Sequence, residues 1–169
     1  MKNEIINRVA ASKLVTLDLG DLYPAGQRVA FDISQWLAHG TVLIEKDFRK
    51  HISQHDWPQY KGNYVALHCS TGAIVPGWAF MLVGLALTPF AKKTVVGTLP
   101  DLENLLFSET IAGLDVSAHK GKPVIIKGCA TKPIPQNAYV LLAQKLRPVA
   151  KSIMYGEACS SVPLFKNKG

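Results

Sequence analysis

The chain repeats one pattern of residues twice, at an offset of 59 to 60 positions, and this repeat restricts its possible folds more than any other feature. Cys69 aligns with Cys129 and, after a one-residue gap, Pro76 aligns with Pro135. The register then holds without a further gap as far as Gly97. Cysteine, proline and glycine mark ends, starts and turns of elements, so their agreement indicates two copies of one structural unit.

Each copy has the pattern of a strand, a loop, a helix and a second strand. The apolar runs YVALHC and PVIIKGC end at the cysteines and are typical of buried strands. Proline then opens a helix, predicted over residues 76–87 and 135–146, because its missing N–H costs nothing in the first helical turn. TVVG and SIMYG predict the second strands. The pattern is a βαβ crossover, which joins parallel strands.

We therefore predict an α/β protein with a mainly parallel sheet, built from two tandem βαβ units at about 61–98 and 120–158 and an N-terminal α/β segment. A chain of 169 residues closes a core without disulfides, so a single domain is expected. Its predicted parts are an N-terminal segment (1–57), copy one (58–98), a helical connector (99–118) and copy two with a basic tail (119–169).

The N-terminal segment has weaker signals. Residues 4–12 fit a short amphipathic helix, and LVTLDL fits a strand. GQRVAFDIS echoes GNYVALHCS, which predicts a third strand ending near Asp32. EKDFRKHISQHDW predicts a helix with Phe48 and Ile52 facing inward.

The helix of copy one is apolar almost all round, and no charged residue occurs from Tyr64 to Ala91. Pro76 and Pro89 leave 12 residues between them, fewer than the roughly 20 that cross a bilayer, so no membrane partner is expected. A helix without a polar face is buried. We expect the N-terminal segment or a second subunit to cover it, which makes a homodimer a candidate.

The net charge of +7 is spread along the chain without an aromatic-basic module, so no nucleic acid partner is expected. A small anionic ligand is the candidate partner that this charge favours. The first residues mix polar and apolar types and lack a secretory apolar run. Together with an odd count of three cysteines, this predicts a cytoplasmic protein whose cysteines bind metal or react.

All three cysteines are expected at the carboxyl edge of the sheet, where open α/β sheets bind ligands. Cys69 and Cys129 end equivalent strands, and Cys159 lies three residues beyond Gly156. Three thiolates with one further ligand suit tetrahedral zinc, which is our first prediction. They equally suit three corners of a [4Fe–4S] cluster, the alternative cofactor. Free cysteines can also be ordinary core residues.

The remaining ligand and the substrate are less defined. Candidates for the fourth ligand are Asp101, Glu157, His68 and Asp32. Water in that position would mark a catalytic site. Candidates for binding an anion, at loops that approach helix starts, are Ser70, Thr71, Thr131, Ser160, Ser161, Lys127 and Lys132. The hydroxyl groups alternatively cap helices or bond the cysteine sulfurs.

Three functions follow from these residues. The first is a metal-binding protein whose cysteine cluster acts on a small anionic substrate as a Lewis acid. The second is a self-associating, non-enzymatic protein with a structural metal. The third is a lyase- or dehydratase-like enzyme with an iron–sulfur cluster. The sequence leaves open whether the protein is an enzyme.

The blocks EKDFR, CSTGAIVPGWAFML, KGC and SIMYGEACSSVPLFK together resemble an uncharacterised bacterial family, domain of unknown function 2480, found chiefly in Bacteroidetes. The resemblance spans nearly the whole chain, and GEACSSVPLFK is its most specific part. It implies a bacterial cytosolic protein without an assigned activity. It supplies no catalytic residues, so the site hypothesis rests on the repeat.

Overall fold

The computed structural model describes residues 13–168, which form two compact units. Residues 25–105 form one unit, which we call the inserted unit. Residues 13–24 and 106–168 form the other, which we call the outer unit because the inserted unit interrupts it in sequence. The helix predicted over residues 4–12 lies outside the described residues.

The inserted unit contains a fully parallel sheet of three strands in the order β2-β3-β4. Its strands are β2 (Arg28–Asp32), β3 (Tyr64–His68) and β4 (Lys93–Val96). Its helices are α1 (Glu45–Gln54) and α2 (Gly77–Leu87), with 3₁₀ turns at Ile33–Trp36 and Trp57–Tyr60. Helix α3 (Leu99–Gly113) begins in this unit and ends in the outer one.

The outer unit contains a sheet of four strands in the order β1-β5-β6-β7. The strands are β1 (Val15–Asp18), β5 (Pro123–Lys127), β6 (Ser152–Glu157) and β7 (Ser160–Lys166). The first three are parallel, and β7 pairs antiparallel with β6. Helix α4 (Gln136–Leu146) connects β5 to β6, and a 3₁₀ turn spans Ser117–His119.

The predicted fold class, mixed α/β with mostly parallel strands in repeated βαβ units, is confirmed. The repeat extends to the packing of the two helices. Buried side chains at the same spacing face the sheet in both: Ala79, Val83 and Leu87 on α2, and Ala138, Leu142 and Leu146 on α4. They pack on the middle strands β3 and β5, whose central residues are fully buried. Phe48 is buried as predicted, and Ile52 packs against the same core.

Three expectations need correction. The strands form two sheets instead of one, because each copy recruits its own additional strand from the N-terminal segment, β2 for β3 and β1 for β5. The predicted N-terminal segment is therefore divided between the units, with residues 13–24 in the outer unit and residues 25–57 in the inserted unit. The predicted basic tail contains β7, where Pro163 obscured the strand pattern although an edge strand tolerates proline.

Helix α2 is less covered than the sequence predicts. Its outer face exposes Met81 and Leu85, at 68% and 70% of their full accessible areas. Among the described residues, no helix combines the length and the apolar character needed to cross a bilayer.

An ion pair inside the inserted unit generates a stability prediction. Arg28 Nε donates to Glu103 Oε1 at 2.6 Å, and both side chains are about nine-tenths buried. We expect Glu103→Ala to lower the free energy of unfolding by about 3–5 kcal/mol, because it removes the carboxylate that pairs with a buried guanidinium. Urea unfolding followed by tryptophan fluorescence reports on this unit, which contains all three tryptophans, Trp36, Trp57 and Trp78.

The exposed pair between Glu45 and Arg49 provides the control, with an Nε–Oε1 distance of 2.8 Å and more than half of each side chain in solvent. Glu45→Ala should cost less than about 1 kcal/mol. Equal losses in both variants would show that burial of the Arg28 pair contributes nothing.

Candidate functional site

Both sheets end in the same aspartate turn at their carboxyl edges. Asp18 follows β1 and accepts a hydrogen bond from Gly20 N at 2.7 Å. Asp32 ends β2 and accepts one from Ser34 N at 2.9 Å. The sequence analysis missed Asp18, although DLG at 18–20 matches DIS at 32–34 in residue type. These turns extend the repeat to the first strand of each unit.

In the inserted unit, Asp32 connects the ends of β2 and β3. Its carboxylate accepts from Ser70 N at 3.1 Å and from Ser70 Oγ at 2.5 Å. Partial burial raises the pKa of Asp32, but the hydrogen bonds from Ser70 and Ser34 outweigh it and hold the pKa well below its ordinary value. Asp32 is therefore an ionised acceptor whose donors come from the protein.

The other hydroxyl group of this loop is also engaged internally. Thr71 Oγ1 donates to the Gly40 carbonyl at 2.5 Å and lies 3.4 Å from Cys69 Sγ. Cys69 itself packs against the core of the inserted unit. Thr71 therefore bonds to the Cys69 sulfur, which is the alternative to anion binding that the sequence analysis left open.

In the outer unit, Cys129 follows β5 in a more polar environment. Its Sγ lies 3.1 Å from Thr131 Oγ1. The Thr131 hydroxyl and backbone N–H, and after them the Lys132 N–H and charge, together lower the pKa of the Cys129 thiol, whereas burial raises it. Hydrogen bonds and a nearby cation both favour the thiolate.

The backbone around Cys129 is closely packed. A Cβ atom at Gly20 would lie 2.8 Å from Cys129 Cβ and 3.2 Å from its Sγ. A Cβ atom at Gly128 would collide with the Tyr139 hydroxyl oxygen. Burial, and then the charges of Tyr155, Asp18 and Cys129, raise the pKa of Tyr139, which keeps its hydroxyl protonated. Glycine at position 20 therefore lets the Asp18 turn approach Cys129, and glycine at position 128 lets the Tyr139 hydroxyl approach the residue next to Cys129.

Two lysines lie beside this thiol. Lys132 Nζ donates to the Gly20 carbonyl at 2.6 Å and lies 5.5 Å from the centre of the Tyr23 ring. Lys127 Nζ lies 2.9 Å from Glu157 Oε1. The hydrogen bond and charge of Glu157 raise the pKa of Lys127, so this lysine is a cation at neutral pH. We call Cys129, Thr131, Lys132, Lys127 and Tyr139 the Cys129 site.

The structure separates the predicted cysteine ligands into two sheets. Cys69 follows β3 of the inserted sheet, Cys129 follows β5, and Cys159 lies in the two-residue turn between β6 and β7. All three are free thiols. Within residues 13–168, no three His, Cys, Asp or Glu side chains are grouped as metal ligands. The expectation that all three cysteines lie at the carboxyl edge of one sheet is wrong, because the chain forms two sheets.

The other candidate ligands have local roles. Asp101 caps α3, accepting from Thr98 N and Thr98 Oγ1 at 2.7 Å each. Glu157 pairs with Lys127, and His68 lies opposite Asp32 in the ladder between β2 and β3. Ser160 and Ser161 lie on β7 instead of in a loop before a helix. Only Glu157 of these candidates contributes directly to the charges around the Cys129 site.

The fold and site define a duplicated α/β protein with two mostly parallel sheets and a polarised thiol at the carboxyl edge of the outer sheet. The sequence matches a family described as "Protein of unknown function (DUF2480)" over residues 3–167. The chain therefore belongs to this family, as its sequence blocks indicated. Neither the curated proteins nor the solved structures gave a match.

The depressed pKa of Asp32 generates a prediction on pH. Asp32 caps the 3₁₀ turn Ile33–Trp36, so Asp32→Ala should lower the free energy of unfolding by about 1 kcal/mol at neutral pH. A lowered carboxyl pKa stabilises the fold above the ordinary pKa of about 4, and this stabilisation is lost as pH falls through the folded-state value. The difference between wild type and variant, measured by urea unfolding, should therefore stay constant above about pH 5 and shrink only below about pH 4.

Asp56 provides the control, because it occupies the equivalent cap position of Trp57–Tyr60 without a side-chain cap bond. Asp56→Ala should have little effect on stability at any of these pH values. A stability difference for Asp32→Ala that already disappears between pH 5 and 7 would contradict the assignment.

Proposed function

We propose that this protein acts through the Cys129 thiolate, which reacts with or binds a small anionic molecule at the carboxyl edge of the outer sheet. The observation that supports this most directly is the polarisation of Cys129 Sγ by Thr131 at 3.1 Å, beside Lys132. A thiolate is the nucleophilic form of cysteine and also its metal-binding form. The proposal includes a cytoplasmic setting, where thiols stay reduced.

The repeat supports the assignment of this role to Cys129 rather than to Cys69. Both cysteines follow equivalent strands and precede a threonine two residues on. The positions between and after differ, since Ser70 and Gly72 of copy one align with Ala130 and Lys132 of copy two. Copy two thus places a cation beside the sulfur where copy one has glycine.

The preference for an anion rests on Lys127 and Lys132. Both lie in or next to the strand-end loop that carries the thiol, and their positive charge attracts negative ligands at short range. Glu157, which pairs with Lys127 at 2.9 Å, and Asp18, whose charge also acts on Lys127, neutralise part of this charge. A small singly charged molecule fits this balance better than a polyanion.

A pair of alkylating reagents tests both the thiolate and the charge. In a Cys69→Ser/Cys159→Ser background, Cys129 should react with neutral iodoacetamide at a rate that reaches half its maximum below the free-cysteine pKa of about 8.5. Sulfur displaces iodide in this reaction, so the rate follows the thiolate fraction. The lysines should raise the rate of reaction with anionic iodoacetate by attracting the reagent. Lys132→Met should therefore slow the reaction with iodoacetate about fivefold more than the reaction with iodoacetamide. Mass spectrometry of quenched samples gives the rates.

Lys120→Met is the matched control, since Lys120 is exposed and precedes β5, at the end of the strand opposite to Cys129. It should leave the ratio of the two rates unchanged. A half-maximal pH at or above about 8.5, or equal effects of Lys132→Met on both reagents, would contradict the proposal.

A zinc site with two cysteine ligands instead of three is the second candidate. Cys129 and Cys159 both follow the carboxyl ends of neighbouring strands in one sheet. Two thiolates leave two zinc positions for other ligands or water. A [4Fe–4S] cluster needs at least three cysteines and is less favoured.

Competition titration with zinc and a chromophoric chelator tests this candidate. Cys129→Ser and Cys159→Ser should each abolish stoichiometric binding, whereas Cys69→Ser should retain it, because Cys69 follows a strand of the other sheet. Loss of binding in all three variants would restore the three-cysteine site. Zinc binding that survives both Cys129→Ser and Cys159→Ser would reject this candidate.

A further inference from the structure

A group of exposed apolar side chains lies in the outer unit, along a cleft between α4 and the β6–β7 hairpin. The group consists of Val140, Tyr155, Val162 and Leu164, which expose between 44% and 58% of their full accessible areas. Val162 lies directly opposite Tyr155 in the ladder. Val140 and Leu164 line the same cleft as Tyr155. Exposed apolar residues scattered singly need no explanation, whereas a contiguous group is typical of a binding site.

The volume and lining of this cleft fit a small apolar group. Its volume is about 330 Å³, at the lower end of the range for ligand pockets. Leu164 lies at a bulge of β7, since it has no partner on β6 in the ladder, and a bulge re-aims a side chain. The lining residues are all uncharged: Gln136, Tyr139, Val140, Ala143, Tyr155 and Leu164.

Tyr139 forms the boundary between this cleft and the Cys129 site. Its ring lines the cleft and meets the Tyr155 ring edge to face, with the two ring centroids 5.7 Å apart. Its hydroxyl group lies against Gly128, the residue before Cys129. The cleft therefore begins one side chain away from the loop that carries the thiol.

The contact between Tyr139 and Gly128 is specific to copy two of the repeat. In copy one, Phe80 takes the place of Tyr139 and has no hydroxyl group. Cys69 also follows β3 directly, whereas Gly128 separates Cys129 from the end of β5. The hydroxyl contact at the cleft and the polarised thiol thus belong to the same copy.

The distance between the cleft and the thiol is short enough for one small ligand to span. Tyr155 pairs with Ile126 in the parallel ladder between β5 and β6, and Cys129 follows Ile126 by three residues. With a rise of about 3.3 Å per residue and about 4.8 Å between strands, Cys129 lies roughly 10 Å from Tyr155. A ligand of that length contacts the thiol with one end and the cleft with the other.

We propose, in a step that rests on the function proposed above, that this cleft binds the apolar part of the molecule whose anionic part binds at the Cys129 site. The ligand class is then a small anion, such as a carboxylate, that carries an apolar group. Lys127 and Lys132 attract the anionic end, whereas an unpaired charge in the uncharged cleft would be costly. The ligand therefore binds in one orientation, with its charge toward the thiol.

Two neutral alkylating reagents, iodoacetamide and N-hexyl iodoacetamide, test whether the cleft binds an apolar group next to the thiol. With both reagents, the Cys129 sulfur forms a bond to carbon and iodide leaves. We define the hexyl preference as the ratio of the two rates, hexyl over unsubstituted, divided by the same ratio for N-acetylcysteine. In the Cys69→Ser/Cys159→Ser protein it should be at least about tenfold, a gain that burial of roughly two methylene groups already supplies. Measurement at about pH 9.5, where an ordinary cysteine is also ionised, makes the ratio independent of the thiol pKa.

Variants in the cleft should remove this preference. Val140→Asp and, separately, Leu164→Asp should each lower the hexyl preference at least about fivefold, because each places a charge against the alkyl chain. Both residues are about half exposed, so the variants should keep their fold, which circular dichroism checks. Met81→Asp is the matched control, since Met81 is the exposed residue of α2 that corresponds to Val140 in the repeat. It should leave the hexyl preference unchanged.

The outcomes separate the cleft from the proposed function. A parent protein without a hexyl preference would overturn the proposal, as would a preference that survives both cleft variants or falls equally in Met81→Asp. A lowered thiol pKa without a hexyl preference would keep the proposed function and reject the cleft. An ordinary thiol pKa with a large hexyl preference would contradict the proposed function and keep the cleft as an apolar subsite.

Discussion

The parallel pairing of β1 with β5 is the contact on which the outer sheet and the Cys129 site depend. It joins Val15–Asp18 to Val124–Lys127, and Leu19 N continues the ladder to Lys127 O at 2.9 Å. A parallel pair requires a long connection, and here the whole inserted unit lies within that connection. The pairing supplies the outer sheet with its first strand. It also brings the Asp18 turn, and Gly20 in particular, against Cys129.

The two copies show how one framework supports two different environments for a cysteine. In the inserted unit, Ser70 joins the Asp32 turn to the loop after β3. The hydroxyl groups of Ser70 and Thr71 both donate to acceptors within the protein. The outer unit has Ala130 at that position and therefore lacks this hydroxyl group. Its Lys132 instead reaches the Gly20 carbonyl. The same backbone thus stabilises a loop in one unit and polarises a thiol in the other.

Much of the fold was predictable because the repeat places prolines and glycines at element boundaries. The helices predicted from Pro76 and Pro135 begin one residue later, with those prolines as N-caps. The division into two sheets was not predictable in this way, because the partner of β5 is β1, more than 100 positions earlier in the chain. Sequence proximity and periodicity carry no information about such a pairing. Strand β7 was missed because Pro163 interrupts its pattern.

The sequence pointed to the cysteine of the candidate site and to the loop that carries it, but not to every residue that surrounds the thiol. Cys129, Thr131, Lys127 and Lys132 were all named as candidates from the sequence, since they lie at or just after the end of a predicted strand. Tyr139 was missed because it lies on the helix, and its approach to Gly128 depends on a contact between elements. The expected convergence of three cysteines assumed one sheet, and that assumption was wrong.

The ionisation of Cys129 tests the central claim most directly. Ultraviolet absorbance of the thiolate, titrated in the Cys69→Ser/Cys159→Ser protein, reports this ionisation without any reagent. The account predicts a titration midpoint below the value of about 8.5 for free cysteine, and a midpoint closer to it in Thr131→Val. A midpoint at or above about 8.5 in the parent protein would contradict the account.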